Sequence, residues 1–237
     1  MQVEVYADAE KAAREAARIL AAEARAVVEA RGQATVAFSG GNAPLPMFDA
    51  LAAADLPWDR VQIFQVDERV APSGDRDRNV LHLYERLLDR VPVPSANIHP
   101  MPVEDADLEA AAARYGAALR RAAGSPPVLD LVHLGLGPDG HTASLVPGDA
   151  ALDVADADVV LSGPYQGRRR MTLTYPILNR ARRILWLVTG GEKAGMLART
   201  VRGDPSIPAG RVRRQEALFV VDRAAAERLG PDAVSDS

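Results

Sequence analysis

Cysteine is absent from this chain of 237 residues, which excludes disulfides, thiol nucleophiles and thiolate-held metals together. Histidine occurs four times, as His82, His99, His133 and His141, never at the i, i+4 spacing of a helical metal pair and never within H-E-x-x-H, so no metal site is expected. No G-x-S-x-G elbow exists, which argues against a serine-hydrolase triad. Nor does any hydrophobic run approach the roughly 20 residues of a membrane-spanning helix. The opening MQVEVYADAEKAAREAAR lacks the apolar centre of a signal peptide, and the expected setting is cytoplasmic, away from the membrane. A net charge of −4 supplies no general field for nucleic acid, so no nucleic-acid partner is expected and any anionic ligand must be met by local cations. Lysine is scarce: of 28 basic residues only Lys11 and Lys193 are lysines, the rest being arginines.

What is present is an alternation of short apolar runs and helical patterns. VEVYA (3–7), TVAF (35–38), VQIFQV (61–66), VLDLVHL (128–134), MTLTY (171–175), ILWLV (184–188) and ALFVV (217–221) read as strands. Asp8 and Gly32 bracket an alanine-rich helix, and further helices are expected over 79–90, 108–123, 192–202 and 223–229. Strands spaced by helices imply βαβ units and a largely parallel sheet covered on both faces. With 48% hydrophobic residues and no internal repeat or linker, one α/β domain over 1–237 is expected, ending in a frayed tail, PDAVSDS.

In a parallel sheet the carboxyl ends of the strands share one rim, where ligands collect. After TVAF come Ser39, Gly40, Gly41 and Asn42, then Pro44, which can open a helix; this reads as a phosphate cradle of backbone N–H groups, or else as a tight turn only. After VQIFQV come Asp67, Glu68 and Arg69, where Arg69 can fork onto phosphate oxygens and Asp67 can orient a hydroxyl or another side chain. Lys193, beyond ILWLV, and Arg170, ahead of MTLTY, add cations, whereas Arg168 and Arg169 are expected on the surface. LGLGPDGHTASLVPG (134–148) delivers His141 from a glycine-rich turn, and an imidazole suits proton removal from water at neutral pH. GLGPDG also matches a dinucleotide fingerprint. Pro138 at the point where the helix should open, and the missing acidic ribose ligand, argue against that reading. His133, inside a strand, reads as a hydrogen-bonded core residue. One base, several cations and a glycine cradle fit water attack or proton transfer on a small phosphorylated substrate, with no cofactor called for.

FSGGNAPLPMFDAL, QVDERV followed by DRNV, LGLGPDGHTASLVPG, RMTLTYPILNRAR and VTGGEKAGML, in that order, resemble the signature blocks of the 6-phosphogluconolactonases. The resemblance implies a Rossmann-like three-layer α/β/α fold of the NagB/RpiA-like type with a mainly parallel sheet. It implies hydrolysis of 6-phospho-D-glucono-1,5-lactone, the second step of the oxidative pentose phosphate pathway, so the expected partner is a small sugar phosphate lactone. His141 becomes the general base, with Ser39, Gly40, Gly41, Arg69, Arg170 and Lys193 around phosphate and sugar. Asp67 or Asp139 would position the imidazole or the sugar hydroxyls, and backbone N–H groups of the 135–140 turn would face the oxyanion, a role worth about 3 kcal/mol.

Two positions depart from the family pattern: Arg78 stands where serine is expected, to alter sugar contacts or point into solvent, and Val146 stands where phenylalanine often precedes the proline. The related glucosamine-6-phosphate deaminases carry a glutamate shortly after the histidine, whereas residues 143–148 here contain no carboxylate. A sugar-phosphate sensor without catalysis would leave His141 without a purpose. A monomer or a small homo-oligomer is expected.

Overall fold

The structure, a computed structural model, describes residues 1–230; the tail expected to fray lies outside the described residues. Strand β1 (Gln2–Tyr6) leads into helix α1 (Ala9–Arg31). Its ends are those its sequence encodes: the Asp8 carboxylate accepts from the Lys11 N–H at 2.7 Å, and Gly32 closes the helix at φ 80°. There follow β2 (Ala34–Phe38), α2 (Leu45–Ala52), β3 (Val61–Gln65), β4 (Asp67–Arg69), α3 (Asn79–Arg86), β5 (Ile98–His99), α4 (Leu108–Ala123) and β6 (Leu131–Leu134). The chain continues through β7 (Val159–Tyr165), β8 (Arg168–Leu173), α5 (Tyr175–Arg180), β9 (Arg183–Val188), α6 (Ala194–Arg202), β10 (Ala217–Asp222) and α7 (Arg223–Ala226). Helices α3, α6 and α7 are shorter than their apolar patterns, because single tight turns replace the α geometry at Leu88–Arg90 and Gly191–Lys193 and α7 stops at Ala226.

Seven strands form a wholly parallel sheet in the order β1-β10-β9-β6-β2-β3-β5. Alternate side chains feed two cores, as period-2 geometry requires of a sheet covered on both faces. Val36, Phe38, Ile63, Leu185, Leu187 and Val220 pack under α1 and α2, against Leu20, Met47 and Phe48. On the other face Phe64, Val132, Trp186 and Phe219 meet Tyr115 and Leu119 of α4 and Leu197 of α6, with Trp186 stacked on Phe219 at 5.4 Å between ring centroids. Burying such side chains contributes roughly 1.5–3 kcal/mol each, which makes these faces the main source of stability.

One strand is not where its pattern suggested. The first three residues of MTLTY end β8, which pairs antiparallel with β4 and β7 in a separate three-stranded sheet, while Thr174 stands at the N-cap of α5 and Tyr175 begins it. Val66 joins the two sheets: its N–H donates to the Phe38 carbonyl and its carbonyl accepts from the Leu173 N–H, at 2.9 and 2.8 Å. The second sheet therefore stands at the carboxyl ends of β2 and β3 and walls the rim.

Candidate active site

Where the two sheets meet lies a cleft of about 450 Å³. The loop after β2 contributes Ser39, Gly40, Gly41 and Asn42, strand β4 contributes Asp67 and Arg69, and the loop after β6 contributes His141. The β7–β8 hairpin adds Arg170, and the turn after β9 adds Lys193. Thus every candidate residue except Asp139 lines the cleft, and Asp139 sits against His141.

The histidine is held from one side. His141 Nδ1 and Asp139 Oδ1 are 2.5 Å apart, and the Tyr165 hydroxyl donates to Asp139 Oδ2 at 3.1 Å. With a carboxylate on Nδ1, that nitrogen carries the proton and Nε2 is left to accept one. The Tyr165 ring packs edge-on against the imidazole at 5.2 Å. Burial pushes the Asp139 carboxyl up, but the hydrogen bonds and charge of His141 outweigh it and hold the group below the ordinary carboxylate range. Tyr165 moves the other way, raised by burial and by its carboxylate partner. Gly137 is glycine for a reason of space: a Cβ there would lie 2.1 Å from His141 Nδ1.

The same cleft is lined by cations. Arg69 Nη1 donates to the Asp77 carbonyl at 2.6 Å and to Asn79 Oδ1 at 2.8 Å, and a Cβ on Gly40 would collide with that Asn79 side chain at 2.1 Å. Arg170, 5% exposed, lies 5.0 Å over the Tyr165 ring and 3.9 Å from Asp67. Burial lowers its pKa and the Asp67 charge opposes this; an arginine stays protonated regardless. Burial likewise lowers the Lys193 ammonium, against Glu192 and Asp222, and Asp222 anchors the turn by accepting from the Gly190 N–H at 3.1 Å. Ser39 Oγ and Arg170 Nε are buried with no protein partner, an arrangement that calls for an acceptor within the cleft.

Several expectations change. Asp67 does not touch the imidazole; it accepts from the Ser144 hydroxyl at 2.6 Å beneath Arg170, and burial raises its pKa. The Gly137 and Gly140 N–H groups, expected to face an oxyanion, donate instead to the carbonyls of His141 and Gly137. Arg78 reaches neither sugar nor solvent: it is buried against Glu68 at 3.2 Å and donates to the Ala71 carbonyl and Glu104. Glu68 in turn accepts from the N–H groups of Arg69, Asn79 and Val80, which fixes the start of α3 and with it Asn79. Arg168 pairs with Asp75 and Asp77, while Arg169 is exposed. His133 is buried, but neither ring nitrogen has a hydrogen-bond partner, and it too lines the cleft. Sequence reasoning missed Tyr165, Gln166 and Asn79. A signal for the first two existed in Gln166-Gly167, both at positive φ in a two-residue hairpin loop. Among the described residues no group of three or more histidine, aspartate or glutamate side chains is arranged to hold a metal ion, and no helix is long and apolar enough to cross a membrane.

The model of the glucosamine-6-phosphate isomerases/6-phosphogluconolactonase family matches residues 7–220. The chain belongs to that family. A 6-phosphogluconolactonase of Synechocystis is 41% identical to this family member over 87% of the chain and 89% of its own length. One of Mycobacterium tuberculosis is 37% identical, covering 96% of this chain and 98% of that one. The crystal structure of 6-phosphogluconolactonase from Thermotoga maritima superposes with a TM-score of 0.84 at 28% identity, covering 94% of this chain and 99% of that one. A glucosamine-6-phosphate deaminase of the NagB superfamily, 20% identical with a TM-score of 0.81, shares the three-layer fold.

Proposed function

We propose that this family member hydrolyses 6-phospho-D-glucono-1,5-lactone to 6-phosphogluconate, the second step of the oxidative pentose phosphate pathway, with His141 as general base. The observation that carries the reading is the His141–Asp139 pair, with Nδ1 engaged, in a cleft also lined by Arg69, Arg170 and Lys193. Nε2 takes a proton from water, whose oxygen bonds to the lactone carbonyl carbon. The ring C–O bond then breaks, and the proton passes from the imidazolium to the departing ring oxygen. Asp139 holds the imidazole in orientation and stabilises its charged form; general-base help of this kind contributes typically 10²–10⁴-fold.

Ser39, Gly40, Gly41, Asn42, Arg69, Arg170 and Lys193 bind phosphate and sugar, and Asp67 acts from behind by keeping Arg170 in place. Holding the phosphate away from the reacting carbon sets the carbonyl in register with the water. A phosphorylated substrate supports a cytoplasmic setting, and a net charge of −4 supports a protein without a nucleic-acid partner.

The test compares decay of freshly generated lactone with wild type, with His141→Asn and with no protein, because this lactone also opens spontaneously. Wild-type acceleration that disappears in the variant is the expected result. Wild-type decay no faster than the blank, or ammonia release from glucosamine 6-phosphate, would overturn it.

A further inference from the structure

One buried polar group in the cleft has no role in the chemistry above. His133 occupies the third position of β6 and is 1% exposed, yet both ring nitrogens lack a protein partner. Its flanking side chains are apolar: Phe38 and Leu185 sit in register on the two neighbouring strands, and the Phe38 and Phe48 rings lie 6.3 and 6.5 Å away, centroid to centroid. A buried imidazole without a partner forfeits the hydrogen bonds it had in water, so an apolar side chain would suit the fold better. Buried as it is, His133 is a lining residue of the cleft, beside Ser39 and Leu187. Ser39, whose N–H donates to the His133 carbonyl at 3.2 Å, presents a second buried polar atom without a partner, its Oγ.

We propose that His133 is a binding residue at the floor of the cleft, where its ring N–H donates a hydrogen bond to a phosphate oxygen of the bound sugar phosphate, next to the Ser39 hydroxyl. The inference rests on the sugar-phosphate reading of the site. Burial pushes the His133 pKa down to about 3, so the ring is neutral and carries one N–H donor and one acceptor nitrogen. It thereby differs in kind from Arg69, Arg170 and Lys193: it recognises an acceptor by direction, without adding charge.

The test begins with wild-type protein carrying nitrogen-15 histidine. Long-range proton–nitrogen NMR is recorded before and after saturation with inorganic phosphate and, separately, with 6-phosphogluconate. His133 is assigned by elimination using His82→Gln, His99→Gln and His141→Asn. The expected result is a shift of the protonated ring nitrogen of His133 with both ligands, the ring staying neutral. In kinetics, His133→Leu is expected to raise KM for the lactone about 10-fold, as loss of a hydrogen bond to a charged group does, with the loss falling on KM rather than kcat. The same variant is expected to melt at a higher temperature than wild type without ligand, the signature of a group retained for binding at the expense of stability. Unmoved His133 signals with an unchanged KM would overturn the proposal. Should the leucine variant fail to fold, the wild-type spectra decide alone. A wild type that does not hydrolyse the lactone would sink the substrate assignment, while the response to inorganic phosphate still reads the floor contact.

Discussion

Gly137→Ala isolates the placement of His141, the proposed base. The added Cβ would lie 2.1 Å from His141 Nδ1, 2.2 Å from its Cε1 and 2.7 Å from Asp139 Oδ1, whereas ordinary van der Waals contact starts at 3.4 Å. The imidazole must therefore move by roughly 1.3 Å or turn off Asp139. Gly137 has a negative φ, so alanine adds no backbone strain and the collision is the whole effect. A misplacement of about 1 Å can cost 10²-fold in rate, so kcat is expected to fall at least about 10²-fold. KM should change little, because the residues proposed to bind phosphate lie on other loops. Overpacking of this size costs about 1–3 kcal/mol, which urea unfolding would register as a folded but weakened protein. The assay is steady-state lactone hydrolysis corrected for spontaneous opening, repeated in the His141→Asn background, where the alanine should do little more because it acts through the ring. A Gly137→Ala enzyme that keeps a third of wild-type kcat would refute the argument that this glycine exists to seat His141.

Three further outcomes follow from the same geometry. Asp139→Asn, which removes the partner that fixes the Nδ1–H tautomer, should lower kcat by about 10²–10⁴-fold with little change in melting temperature, measured by lactone decay and thermal scanning. Gly40→Ala should displace Asn79 and with it Arg69, raising KM several-fold more than it lowers kcat; a changed kcat with unchanged KM would contradict the cradle assignment. His133 gives stability a pH slope. Its folded pKa of about 3 lies below the ordinary 6.5, so between these values the unfolded chain binds a proton that the folded chain does not, and stability falls as pH drops below about 6.5. From pH 7 to 5 the loss from this residue is about 2 kcal/mol. Urea unfolding of wild type and His133→Leu at both pH values should show the gap between them widening by that amount.

The rim was legible because each site residue lies within a few residues of an apolar run: Ser39 to Asn42 directly after TVAF, Asp67 and Arg69 after VQIFQV, Arg170 directly before MTLTY, Lys193 beyond ILWLV, and His141 in the loop after VLDLVHL. In a parallel sheet such positions converge whatever the loops do, so local pattern suffices. The residues that escaped are those whose meaning depends on what comes from elsewhere in the chain. Arg78 became a buried partner of Glu68 because residue 104 and the Ala71 carbonyl close over it, and no feature of DRDRN announces that. His133 sits in an apolar strand like any core residue, and only the packing around β6 shows that its nitrogens lack partners.

The sequence by itself determined the alternation of strands and helices, the caps of α1, the loops that carry the cations and the glycine-rich turn that delivers His141, since periodicity, capping and turn chemistry act over a few residues. Tertiary structure alone decided which strands pair. MTLTY reads like its fellows, yet its strand pairs antiparallel through Arg170–Thr172 with Asp67–Arg69, about a hundred residues earlier, and so builds the wall that brings Tyr165 and Arg170 to His141. Strand pairing joins hydrogen-bonding groups that every strand presents alike, so its choice of partner is settled by the packing of the whole chain and not by the strand's own residues.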